Sequence, residues 1–284
     1  SEVKLRAYED DGFTWAVRTR ETNLGDLVAD AFRAELGADI GLANGGGIRS
    51  DVAPGEVTYG DAIAVLPFAN ALCMVEATGQ AIVDALEMGV RNLPEPSGSF
   101  LQTSGLSFEV CTDVPSPVKL DAEGAFAGAD GPRRVQNVRV NGQSIDLGAT
   151  YTVASITYLL RDGGDGFSMF ENANVLVAEQ GLDYEALISF IQNDLGGMVA
   201  ADSAYANENG AGRITVKGGA NPAPLPAPKP GDAQKLAPTG DAAATTAVLC
   251  AAALSALACV CGSGLAARRR ERVENPARLR ENLR

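Results

Sequence analysis

The six residues Asn44-Gly45-Gly46-Gly47-Ile48-Arg49 are the stretch of this chain best suited to chemistry. The preceding Asp39 to Ala43 reads as a short buried strand, so the stretch is a glycine-rich loop running off a strand end. Three successive glycines let the backbone approach a ligand and turn its N–H groups inward, which suits an oxyanion, and Arg49 adds a fixed charge at the end. Taken alone, such a loop is more often only a tight turn.

Histidine is absent from all 284 residues. That removes every Ser/His/Asp or Cys/His nucleophile system, His-ligated zinc or iron, and the imidazole general base. Any hydrolytic metal centre must come from elsewhere. Of five cysteines, Cys250, Cys259 and Cys261 lie in an apolar stretch near the C-terminus, while Cys73 and Cys111 lack CxxC spacing. The latter two read as buried free thiols, with a disulfide between them open if the chain is extracellular.

The net charge of −13 is unevenly spread. Beyond Leu265 seven arginines meet three acids, which leaves −17 on the stretch before it. An acidic surface repels polyanions at long range, so a nucleic-acid duplex is not an expected partner, although a small anion can still enter a local basic pocket.

Several elements must position these residues. Thr22 or Asn23 caps a helix carrying Leu24, Leu27, Val28, Ala31 and Phe32 at helical spacing, which ends near Gly37. Thr78 caps a second helix with Ala81, Ile82, Ala85, Leu86 and Val90 on one face. Leu101 to Val110, Val135 to Val140 and Tyr151 to Ile156 read as strands, with Asn141-Gly142 as a hairpin turn, and Tyr184 to Leu195 reads as a late amphipathic helix. Helices and strands mix without strict βαβ order. The predicted class is therefore α/β (α+β), a mixed-sheet sandwich rather than a barrel or doubly wound fold.

Four separated motifs occur in order: Glu21-Thr22-Asn23-Leu24-Gly25-Asp26, Asn44 to Arg49, Leu66-Pro67-Phe68, and Gly163-Gly164-Asp165-Gly166-Phe167. Together they resemble the C-terminal domain of the 5′-nucleotidase family, over roughly residues 1–217. The resemblance implies a nucleotide-binding domain that works with an N-terminal metallophosphoesterase domain holding two divalent metal ions. It implies no cofactor, metal or catalytic residue in this chain itself, in agreement with the missing histidines. It further implies Arg18, Asn44 and Arg49 as phosphate-binding residues, Phe68 and Tyr158 as rings that sandwich the base, and Asp165 as the acceptor of ribose hydroxyls. At Tyr158 the run Leu159-Leu160-Arg161-Asp162 is one residue longer than the family spacing. Guanidinium forks fit phosphate oxygens, and stacking grips any base without reading its edge. Besides a nucleotide phosphoesterase part, a non-catalytic wall-displayed binding module or adhesin on the same fold stays open, since fold alone does not fix activity.

From Gly218 the texture changes. Residues 218–235 are rich in Pro, Ala and Gly and read as an extended linker. Residues 242–267 carry no charge and are long enough for a transmembrane segment, with the basic tail 268–284 on the cytoplasmic side. Between them Leu236-Ala237-Pro238-Thr239-Gly240 resembles a Gram-positive cell-wall sorting signal. That resemblance implies cleavage between Thr239 and Gly240 by sortase, attachment to peptidoglycan, and an extracellular location with a transient or permanent membrane anchor. Such a topology requires export, yet no secretory signal stands near Ser1, so a missing or processed N-terminus is expected.

Overall fold

Thr22 is extended and its hydroxyl accepts the Gly25 N–H at 3.1 Å, which starts helix α1 (Asn23–Leu36). The helix buries Leu24, Leu27, Val28, Ala31 and Phe32 as the spacing predicts, and it ends at Gly37. Strand β1 (Ile40–Asn44) follows, buried at every position. Helix α2 (Tyr59–Val65) opens with Thr58 and Asp61 bonding each other's backbone in a capping box. Strand β2 (Ala71–Thr78) runs into helix α3 (Gly79–Val90), capped by the Thr78 hydroxyl. Then come β3 (Leu101–Ser104), β4 (Leu106–Cys111), β5 (Val118–Leu120), β6 (Phe126–Ala129), β7 (Val135–Val140) and β8 (Gln143–Ser144). The described chain finishes with β9 (Thr150–Ile156), α4 (Thr157–Leu160), β10 (Asn174–Leu182), α5 (Asp183–Ser189) and β11 (Ile214–Lys217).

This computed structural model describes residues 1–218. Apart from Gly218, the linker, the Leu236–Gly240 pentapeptide with its Thr239-Gly240 bond, the apolar span and the basic tail expected from the sequence lie outside the described residues. No helix among the described residues is long and apolar enough to cross a membrane.

The main sheet has the order β10-β2-β9-β1-β3, with β1 parallel to β9 and the other pairs antiparallel. A second sheet, β11-β4-β7-β8, is also mixed, because β11 runs parallel to β4. Strands β5 and β6 form a separate hairpin. The mixed α/β class read from the sequence is what the fold shows.

Two differences have clear physical reasons. The single strand expected over Leu101 to Val110 is two strands in two sheets, because the chain breaks at Gly105, whose φ is +66°. Strand β2 has no clear strand signal of its own: Ala, Leu, Met and Glu favour helix locally, and pairing with β9 on one side and β10 on the other overrides that preference. The late helix is α-helical through Ser189 and then widens into a π-helical turn, Phe190–Asp194. Cys73 is buried and Cys111 is half-buried rather than buried; both are free.

Candidate functional site

Parallel pairing of β1 and β9 brings their C-terminal ends to the same edge of the main sheet. Asn44 ends β1, while β9 passes through α4 into the Gly163–Phe167 turn, so Asn44 and Asp165 meet although 121 residues separate them. In the loop after Asn44 the glycine N–H groups do not point to a ligand. Gly45 donates to the Phe100 carbonyl at 2.7 Å, Gly46 to that of Gly98 at 2.8 Å and Gly47 to that of Asn44 at 3.0 Å. The expected backbone oxyanion cradle is corrected here: these donors are spent on the protein. The glycines serve close packing instead, since a Cβ at Gly45 would strike the Val17 carbonyl and sit 3.2 Å from the Arg18 Cα.

Arg18 is only 3 % exposed, so it is not a solvated surface charge. Its guanidinium lies over the Trp15 ring, 3.9 Å from the centroid. Arg49 is 5.2 Å from the Trp15 centroid and 5.7 Å from that of Phe68, and its Nη1 donates to the Gly46 carbonyl at 3.3 Å. Phe68 is 45 % exposed, which leaves ring surface open to solvent. Two guanidiniums and an exposed ring are thus one contiguous group, with Trp15 as a member that the sequence reading missed.

At the other end of the loop, Asn44 Nδ2 donates to Asp165 Oδ2 at 2.9 Å. The Tyr158 hydroxyl donates to Asp165 Oδ1 at 3.2 Å and accepts the Asp165 N–H at 3.1 Å. Tyr158 is half-buried, whereas Leu159 and Leu160 are buried, so Tyr158 is the ring that this longer segment presents. The ring lies directly on Gly164, where any side chain would overlap it. Burial pushes the Asp165 carboxyl above its ordinary range; the bonds from Asn44 and Tyr158 and the charges of Arg91 and Arg18 oppose that rise. Arg91, also absent from the sequence reading, is held by the Met88 carbonyl at 2.6 Å and Ser99 Oγ at 2.7 Å. Burial lowers its pKa, and Asp165 counters this.

A family model described as the 5′-nucleotidase C-terminal domain matches residues 5–172. The chain belongs to this family. A trifunctional nucleotide phosphoesterase protein, YfkN, of Bacillus subtilis is 34 % identical over 174 residues, 58 % of this chain and 11 % of that protein. A 5′-nucleotidase of Vibrio vulnificus is 32 % identical over 178 residues, 63 % of this chain and 28 % of the relative. Among solved structures, a 5′-nucleotidase precursor from Thermus thermophilus is similar with a TM-score of 0.61 and 32 % identity, over 76 % of this chain and 38 % of that one. The chain therefore spans well under half the length of these relatives.

Within this 5′-nucleotidase C-terminal domain, the Glu21–Asp26 motif holds the fold together rather than facing the candidate site. Glu21 accepts the N–H groups of Gly212 at 2.9 Å and Ile214 at 2.6 Å, and Asp26 accepts that of Ala211 at 2.9 Å. Asn23 accepts the Arg6 N–H at 2.9 Å and donates to the carbonyls of Lys4 and Tyr205. Arg213 grips both oxygens of Asp30, at 2.8 and 2.7 Å, and approaches Asp26 at 3.6 Å. Burial, reinforced by the neighbouring Glu21 carboxylate, raises Asp26 to about 8 despite Arg213. These contacts fasten β11 to α1. Among the described residues no group of three or more Cys, Asp or Glu side chains is placed to hold a metal ion.

Proposed function

We propose that this chain is the nucleotide-binding part of an exported, cell-wall-attached 5′-nucleotidase or related nucleotide phosphoesterase. The observation that carries this reading is the Asn44–Arg49 loop: its first residue touches Asp165 and its last lies against Phe68 and beside the Trp15 ring that also carries Arg18. Arg18 and Arg49 would take the phosphate through bidentate N–H pairs. Phe68, with Tyr158, would stack the base, and Asp165, fixed by Asn44 and Tyr158, would accept ribose hydroxyls. Two guanidiniums beside the exposed Phe68 ring at one end of the loop, with Tyr158 and the Asp165 carboxylate at the other, suit a mononucleotide and select no particular base.

Hydrolysis of the phosphoester calls for a different set of groups. With no histidine in the sequence and no metal-holding group of three or more Cys, Asp or Glu among the described residues, the donors of the described residues do not fit a hydrolytic dinuclear centre. An N-terminal metallophosphoesterase domain with two divalent metal ions is our reading of where that chemistry resides, and the far greater length of the relatives supports it. The Leu236–Gly240 pentapeptide, followed by an uncharged span and an arginine-rich tail, supports attachment to peptidoglycan by sortase after cleavage between Thr239 and Gly240.

Calorimetric titration of the purified chain with AMP and adenosine tests the binding role. Both should bind, AMP more tightly, with no phosphate released when divalent metal is added. Failure to bind either compound, or turnover of AMP by this chain, would overturn the proposal.

A further inference from the structure

Trp15 lies where the two arginines meet, and both faces of its ring are occupied. The Tyr8 ring stacks on it with centroids 4.1 Å apart and planes inclined by 32°. The Arg18 guanidinium, at 3.9 Å from the same centroid, needs the opposite face, because two groups that close cannot share one. A base or sugar has no open face of Trp15 on which to stack, so the ring does not serve as a ligand platform.

Its surroundings fix it firmly. Tyr8 and Trp15 form an isolated antiparallel bridge, with Val17 N–H bonded to the Ala7 carbonyl at 3.1 Å and Glu9 N–H to that of Thr14 at 2.8 Å. Asp51 Oδ1 accepts the N–H groups of Ala7 at 2.6 Å and Tyr8 at 2.9 Å, and the Tyr8 hydroxyl donates to the Arg49 carbonyl at 3.2 Å. The same pair of rings is therefore tied to both Arg18 and Arg49.

Two guanidiniums gathered beside one ring repel each other, more strongly in a poorly solvated setting than in water. Indole is the aromatic ring that attracts cations best, and a guanidinium fork matches the oxygens of a phosphate. We propose that Trp15 is a positioning residue that holds Arg18 and Arg49 together as one binding unit for a phosphate dianion. The proposal deepens the nucleotide reading above and rests on it.

Trp15 is the chain's single tryptophan, so its emission reports on this unit alone. Titration of the purified chain with AMP or inorganic phosphate should change the emission, and adenosine should leave it nearly unchanged. Trp15→Leu should weaken AMP about tenfold in calorimetry with adenosine affinity retained, and Trp15→Phe, which keeps a ring and covers the case in which the leucine variant fails to fold, should lose only about threefold. Unchanged AMP affinity in both variants overturns this inference alone. Equal losses for AMP and adenosine, matched by a fall in melting temperature, overturn it in favour of a purely structural role. Wild-type protein that ignores AMP overturns the nucleotide reading and this inference with it.

Discussion

Arg18 and Glu21 are three residues apart yet belong to two regions built on opposite plans. Around Glu21, Asp26 and Asp30, polar groups are matched within the fold: Arg213 forks onto Asp30, and the N–H groups of Ala211, Gly212 and Ile214 end on the two buried carboxyls. Around Arg49, the guanidinium meets two aromatic rings and one carbonyl, with no carboxylate ion pair among the described residues, and Phe68 is open to water. Internal matching serves stability. A cation held beside ring faces can offer donors to an external anion, which is the role proposed for the second region.

Substitutions should therefore separate the two regions cleanly. The largest effect belongs to Arg213→Met, which strands Asp30 without its cation: unfolding by denaturant should show a loss of about 3–5 kcal/mol, with the AMP affinity of the folded protein unchanged. A comparable loss of affinity would blur the division. Arg49→Ala should reverse the pattern, costing about 1.5–3 kcal/mol of AMP binding by calorimetry and under about 0.5 kcal/mol of stability. Phe68→Ala should weaken AMP and adenosine alike, by about 1–2 kcal/mol, because it removes stacking and leaves the phosphate contacts.

One further effect is of pH. A carboxyl whose pKa is raised on folding, as Asp26 is to about 8, binds more protons in the native than in the unfolded state. Its contribution is present in full below the unfolded value near 4 and is lost as pH rises towards 8. Melting temperature should accordingly fall by several degrees from pH 5 to pH 8. Asp26→Asn should flatten that slope, and an unaltered slope would assign it to general charge repulsion instead.

The contrast also shows what a sequence reveals. Arg18, Asn44, Arg49, Phe68, Tyr158 and Asp165 were nameable because they stand in or beside ordered motifs, and α1, α3 and β7 because capping and periodicity are local signals. Trp15, Tyr8 and Arg91 were not, since they stand in no motif and what places them is irregular structure: an isolated bridge for the first two, and contacts with the Met88 carbonyl and Ser99 for the third. The glycine loop was located correctly and its role misread, because only tertiary structure shows the carbonyls of Phe100 and Gly98 taking its N–H groups. Glu21 and Asp26 illustrate the converse: motif residues whose partners, at 211–214, lie almost two hundred positions away.

A crystal structure of the chain with AMP bound tests the central claim most directly. Phosphate oxygens should lie on the Arg18 and Arg49 guanidiniums, the base against Phe68, and ribose hydroxyls on Asp165. AMP seated elsewhere, with Arg49 still folded against Phe68 and no phosphate near Trp15, would contradict it.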